Sequence, residues 1–402
     1  MKIESPRLQH VQRALSQGDR VPLAQLWAEV AITGAPLIEP SDAENCLVTF
    51  LWRDPGHTQS VAVIQDWGAD GIYEHFMTQL PGSDLWFKTR LMRSDTRTTY
   101  QLAPTPPSDP TSSIPYQLDP LNPRTHIAFL GEDGNHIRFS SLELPTAPAQ
   151  PWREHTAPKG TIRLYHLPGG GRRAWVYLAP SVHGTDVYDL PGRLGGYPLL
   201  VAFDGRPYKE HLQVPALLDY LVATAQIPPL VALFIDNPNR QELVCAAAFA
   251  DYVAQTVMPW LVENFPVTTD PAQTVVTGSS YGGLGAAYLA LRYPQRFGKV
   301  LSQTGWFRWR PEGDPAFHWL ARQYAQTPPL PLQFYLDVGN LEVAQMRDGG
   351  PTQFEANRHM RDVLLAKGYP VRYVEYSGGH DYSSVEAPLA AALAALFGQM
   401  QQ

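Results

Sequence analysis

Cysteine is nearly missing from this chain: two residues among 402, Cys46 and Cys245. Expected in different domains, they exclude a disulfide framework and read as buried thiols. Long apolar runs are missing too, and none approaches the length of a membrane span. Positive charge is scarce: 31 Lys and Arg face 38 Asp and Glu, for a formal net charge of −7. That balance argues against a nucleic-acid scaffold, although it leaves room for a local basic pocket. There is no low-complexity repeat, no HExxH and no CxxC. Gly169-Gly170-Gly171 lacks the flanking pattern of a phosphate loop. No resident metal or cofactor, no nucleic-acid partner and no membrane partner is therefore expected. The opening MKIESPRLQHVQRAL has acidic and polar residues where a secretory signal needs an apolar core, so a cytoplasmic protein is expected.

Hydrophobic content of 44% and charge of 17% describe a globular protein, and the length asks for one large or two medium domains. Pro6 to about Glu29 reads as one or two short amphipathic helices. From Cys46 the texture turns to β, with candidate strands at 46–52, 60–67, 85–92 and 96–103 punctuated by Gly, Pro, Asp and Ser. That spacing suits a small β-sandwich. Pro104 to Pro123 is too rich in proline for helix or central strand. A second polar stretch, Leu144–Lys159, reads as a linker. The expected division is a mostly-β domain at 1–150 and an α/β domain at 151–402.

The second half alternates strands with helical material. Candidate strands fall at 161–167, 173–179, 198–203, 230–235, 274–278, 299–303, 332–337 and 371–376. Ala248–Phe265 is the clearest helix, with Phe249, Tyr252, Val253, Val257, Trp260 and Leu261 on one face. Eight strands, the first pair antiparallel and the rest mainly parallel, match the α/β-hydrolase plan, and the chain is organised around the turn after the fifth. There, Thr274-Val275-Val276-Thr277 runs into Gly278-Ser279-Ser280-Tyr281-Gly282 and then an Ala/Leu/Gly-rich helix. Strand, sharp turn and helix with a serine at the apex is the setting of a nucleophile elbow. It would expose Ser280 Oγ above the sheet and aim the Tyr281 N–H at a developing oxyanion.

A serine hydroxyl needs a base to take its proton, and the base needs a carboxylate to hold its tautomer. In this plan they come after the serine in the order acid, histidine. His380, in Ser377-Gly378-Gly379-His380-Asp381 directly after the last strand, is the candidate base. His359 lies within a helical stretch and reads as a solvated face. His318 comes after Phe317 in a Trp-rich insertion and reads as a residue within reach of ligand. Glu342, on the loop after the seventh strand, is the first candidate acid, and Asp337, within that strand, the second. The Phe203-Asp204-Gly205-Arg206-Pro207 turn makes the Arg206 N–H the other candidate oxyanion donor.

Several segments together resemble the enterochelin (ferric enterobactin) esterase family, an esterase-D-like branch of the α/β-hydrolases. In the second half they are LLVAFDG (199–205), IDNPNRQELVC (235–245), GSSYGG (278–283), VLSQTGWF (300–307), LDVGNLE (336–342) and SGGHDY (377–382). In the first half, GSDLWFKTRLMRSDTRTTYQL (82–102) and DPLNPR (119–124) resemble that family's separate N-terminal domain. The resemblance implies a cytoplasmic serine esterase that opens the ester or lactone bonds of a catecholate siderophore and so releases its iron. Iron would enter only as part of the substrate. It also implies Ser280 as nucleophile, His380 as base and Glu342 as acid.

A ferric tris-catecholate is a trianion with aromatic rings, so cationic and π surfaces should receive it. Arg206, Arg240, Trp306, Arg308, Trp309, Arg310 and Arg347 form the candidate pool, with Arg240 equally able to pair with Glu242 or Asp236. Two other readings stay open on the residues alone: an esterase or thioesterase acting on an acetylated or feruloylated carbohydrate, and a degenerate hydrolase used as a binding module.

Overall fold

Strands form where β-branched and aromatic runs are bounded by turn residues. The computed structural model describes residues 3–64, 75–104, 116–130, 136–180, 196–346 and 348–398. The end of the 60–67 run and residues 105–115 of the proline-rich passage lie outside these. The chain divides into two compact units. The first is Met1–Pro148 with Ala344–Gly349 and Ser377–Ser384; the second is Ala149–Val343, Gly350–Tyr376 and Val385–Gln402.

The first unit begins with two helices, α1 (Pro6–Ser16) and α2 (Val21–Thr33), each with proline in its first turn. Its strands are β1 (Leu37–Pro40), β2 (Asn45–Arg53), β3 (Val61–Ile64), β4 (Thr78–Gln79), β5 (Leu85–Arg93), β6 (Arg97–Pro104), β7 (Thr125–Leu130) and β8 (His136–Glu143). They build two four-stranded sheets, β1-β2-β5-β4 and β3-β6-β8-β7, in which the paired strands run antiparallel. Alternation along β2 and β5 sends Leu51, Leu85 and Phe87 to one face, where they pack with Leu8, Val11, Leu26 and Val30 of the helices. The other face carries Phe50, whose ring meets the Tyr100 ring of β6 edge-on at 4.8 Å.

The second unit holds β9 (Thr161–His166), β10 (Arg173–Leu178), β11 (Leu199–Ala202), α3 (Gly205–Glu210), α4 (Val214–Ala223), β12 (Val231–Ile235), α5 (Ala247–Tyr252), α6 (Met258–Asn264), β13 (Thr274–Ser279), α7 (Tyr281–Arg292), β14 (Lys299–Gln303), α8 (Trp319–Gln326), β15 (Gln333–Gly339), α9 (Gln353–Ala366), β16 (Val371–Tyr376) and, from Val385 on, α10 (Tyr382–Phe397). Its single sheet has the order β9-β10-β12-β11-β13-β14-β15-β16. The first two junctions are antiparallel and the rest parallel, as the α/β-hydrolase plan requires. β11 and β12 are buried along their whole length, which is why they read as continuous apolar runs. The single expected helix at 248–265 is instead α5 and α6 joined by a π-turn at Val253–Val257. Pro259 has no N–H to offer the Gln255 carbonyl, so the helical ladder is rearranged there. Cys46 and Cys245 are free thiols. Among the described residues no helix is long and apolar enough to cross a membrane.

Candidate active site

β13 delivers the chain into a turn that only its sequence tolerates. Ser280 has φ 59° and ψ −116°, a backbone region costly for a residue with a side chain. A Cβ on Gly278 would lie 2.4 Å from the Gly282 carbonyl carbon, so the turn closes backbone on backbone. On Gly283 a Cβ would sit 2.5 Å from Ser302 Oγ. The Ser280 N–H donates to the Gln303 carbonyl, and the Ser280 carbonyl accepts from the N–H groups of Leu284 and Trp306, each at 3.0 Å. These three bonds fix the serine between β14 and α7, whose first residue is Tyr281.

The loop after β15 carries Glu342, which is buried; its carboxylate accepts from the Gly339 N–H at 2.9 Å and from the Thr304 hydroxyl. Thr304, at φ 42°, is itself pinned by its N–H to the Asp337 carbonyl and by Gln353 Nε2 to its own carbonyl. Asp337 is different. It sits within β15, fully buried, and neither carboxyl oxygen has a hydrogen-bond partner among the described residues. Burial pushes its pKa well above the ordinary range; the Thr304 N–H opposes this and the nearby Glu342 charge adds to it.

The turn after β11 places Asp204 in the left-handed region and Arg206 in the first turn of α3. The Asp204 N–H donates to Asn237 Oδ1, so that amide is already engaged. Arg240 pairs with neither acid expected of it: Glu242 takes Arg172 and Asp236 takes Arg173. Its guanidinium binds both oxygens of Asp204 at 3.0 and 2.8 Å, reaches the Ser279 carbonyl at 3.3 Å and lies 5.5 Å from the Tyr281 ring centre. One side chain thus ties the Asp204 turn to the serine turn. Arg206 pairs with Glu210 one helical turn on.

Beyond β14, the Trp306 ring meets Tyr281 edge-on at 5.7 Å. Arg308 is buried, with its guanidinium 5.4 Å from Trp306 and 5.6 Å from Phe317 and its Nε donating to the Pro351 carbonyl. It braces the segment rather than presenting a charge to solvent. Arg310 lies over Phe317 at 4.0 Å, and Trp309 packs on Trp319. Arg347 lies outside the described residues. His318 and His359 stack at 4.3 Å, and His318 Nδ1 lies 3.3 Å from the Phe307 carbonyl. Burial, then the His359 ring and the Arg308 and Arg322 charges, push the His318 pKa down to about 4.

His380 lies after β16 in Ser377–Ser384, the loop that groups with the first unit. Asp381 beside it accepts from the Ser384 N–H at the start of α10. Neither Asp204 nor Thr304 stands out in the sequence as a partner of the site. Asp204 carries one local signal, since it precedes Gly205, whose Cβ would strike the Phe234 carbonyl carbon at 2.4 Å.

Known proteins match both halves of the chain. Residues 182–396 match the "Putative esterase" family and residues 47–153 match the family "Enterochelin esterase, N-terminal". The iron(III) enterobactin esterase of Dickeya dadantii is 32% identical, over 88% of each chain. The iron(III) salmochelin esterase of Escherichia coli is 27% identical, over 92% of each. Among solved structures, the ferric enterobactin esterase of Salmonella typhimurium superposes with a TM-score of 0.70 at 27% identity, covering 92% of this chain and 98% of that one. The enterobactin esterase of Shigella flexneri, crystallised in the presence of enterobactin, gives 0.68 at 26% identity, covering 92% and 97%.

Proposed function

The chain belongs to the enterochelin esterase family, and on that footing we propose that it is a cytoplasmic serine esterase that opens the ester bonds of a ferric catecholate siderophore such as enterobactin. The observation that carries the reading is the Ser280 turn, whose backbone strain and glycine neighbours are those of a nucleophile elbow with a hydroxyl at the apex of strand and helix.

In this reading Ser280 Oγ attacks an ester carbonyl of the trilactone and its proton passes to His380. Glu342, fixed by the Gly339 N–H and the Thr304 hydroxyl, holds the imidazole in the tautomer that can accept it. The N–H groups of Tyr281 and Arg206 stabilise the tetrahedral oxyanion; losing one such donor typically costs about 10²–10³-fold in rate. Collapse breaks the C–O bond, and the departing alkoxide takes the proton back from the imidazolium. Water, deprotonated by His380, then attacks the acyl-enzyme, leaving a free carboxylate, a free hydroxyl and the regenerated serine. Iron is cargo of the substrate, released as the opened ligand loses its preorganised grip.

Substrate contact falls to the exposed part of the cationic and aromatic pool. Arg240 keeps 46% of its side chain exposed, and Trp309 and Arg310 are half-buried. Arg206, Trp306 and Arg347 remain candidates, while Arg308 acts by bracing Trp306. The test is to incubate ferric enterobactin with the wild type and with Ser280→Ala and to measure the linear products by mass spectrometry. Turnover is expected from the wild type alone, and equal turnover by both would overturn the assignment.

A further inference from the structure

Residues 1–148 supply none of the reacting groups, yet the loop that carries His380 groups with them and is fastened there by a dense set of bonds. Asp381 Oδ2 accepts from the Thr98 hydroxyl at 3.0 Å and from the Thr99 N–H at 3.3 Å, both on β6. Ser384 Oγ lies 2.9 Å from Asp381 Oδ2 and 2.9 Å from the Arg97 carbonyl, and it accepts from the Gly379 N–H at 3.0 Å. The Arg97 N–H donates to the Ser377 carbonyl at 3.2 Å, and Arg93 Nε to the Ser377 hydroxyl at 3.0 Å. A Cβ on Gly378 would sit 2.9 Å from the Arg97 carbonyl, so the loop lies against the strand with no space between. Thr98, Asp381 and Ser384 are all buried.

Capping of α10 explains only part of this. A cap needs the Asp381 carboxylate and the Ser384 N–H, which lie 3.0 Å apart. It does not need a buried hydroxyl and a strand amide from residues 283 and 282 positions away. Buried charge-assisted bonds of this kind fix orientation as well as adding stability. The residues on either side of His380 are thus held by one rigid strand, which restricts where an imidazole between them can point.

We propose that β6, through the Thr98–Asp381 and Arg97–Ser384 contacts, is the positioning element for the general base of the esterase, so that the N-terminal strands act in catalysis by aiming His380. The inference rests on the reading of His380 as that base. Thr98 and Asp381 are positioning residues: they act through the loop and touch no substrate.

The experiment compares Thr98→Val, Thr98→Ser, Asp381→Asn and His380→Ala on ferric enterobactin and on 4-nitrophenyl butyrate, with thermal melting of each. Misplacing a reacting group by about 1 Å can cost about 10²-fold, so Thr98→Val should lower kcat by about 10–100-fold with KM nearly unchanged. The same factor should slow inactivation by an organophosphonate, and Thr98→Ser, which keeps the hydroxyl, should restore most of the rate. If Thr98→Val does not fold, Asp381→Asn reads the same split between kcat and KM. Folded Thr98→Val and Asp381→Asn with wild-type kcat, beside an inactive His380→Ala, would overturn the positioning role and leave the esterase reading intact. Loss of melting temperature without a selective loss of kcat, or without rescue by Thr98→Ser, would also overturn it. An active His380→Ala would instead remove the base itself.

Discussion

Replacing Asp337 by asparagine should stabilise this protein, and by more as the pH rises. The carboxyl is fully buried without a hydrogen-bond partner among the described residues, which raises its pKa in the folded chain, whereas it ionises near its ordinary value of 3.8 in the unfolded chain. Its folded pKa is raised. The stability linked to it is therefore complete below 3.8 and is lost as the pH climbs toward the folded value, by about 1.4 kcal/mol per pH unit. Asparagine has no proton to retain. The gap between variant and wild type should therefore widen as the pH rises above 3.8. The amide brings N–H donors into the same partnerless site, at a cost of about 1–3 kcal/mol, which the variant recovers as the pH rises. Urea unfolding at pH 5 and pH 8 measures the slope, and ester turnover measures the rest. Asp337→Asn should keep its activity within a few-fold, whereas Glu342→Gln should lose up to about 10⁴-fold, as removal of the orienting acid does in other serine hydrolases. A gap that does not change with pH, or equal losses of activity in the two variants, would refute the assignment of the two carboxyls.

Two further outcomes are expected from the same geometry. Gly278→Ala puts a methyl 2.4 Å from the Gly282 backbone, so the turn must open; a loss of about 1–3 kcal/mol or more, with weaker organophosphonate labelling of Ser280, should show in melting and intact-mass experiments. His318 has its folded pKa lowered to about 4 against 6.5, so its neutral form supports the fold fully above pH 6.5 and that support is lost as the pH falls toward 4. His318→Gln should flatten the fall of melting temperature across that window, and an unchanged acid limb would count against the stacked-pair description.

The middle of the large sheet was legible because its strands are buried along nearly their whole length. β11 and β12 are unbroken apolar runs, and β13 leads into Gly278-Ser279-Ser280-Tyr281-Gly282, the spacing of a sharp strand-to-helix turn. β8 does not read as a strand: in HIRFSSLE the alternation of exposed His136 and Arg138 with half-buried Ile137 and Phe139 is short and gives way to a buried Ser140. The π-turn was illegible too, since a face of apolar residues reads alike whether or not one turn is widened. The strained serine turn was legible because it sits in a short motif, whereas contacts between residues distant in sequence were not. Arg240 reads in the sequence as a substrate contact, or else as a partner of the nearby Glu242 or Asp236, and it binds Asp204, 36 positions away. Nothing near Thr98 announces that its hydroxyl binds Asp381.

The central claim is that Ser280 becomes acylated by a siderophore ester. Ferric enterobactin mixed with enzyme, quenched within one turnover and digested, should yield the Ser280 peptide carrying the ring-opened linear trimer of dihydroxybenzoyl-serine as its acyl group, absent from Ser280→Ala. Turnover to linear product with no acylated serine at any time point, and undiminished by Ser280→Ala, would contradict the account.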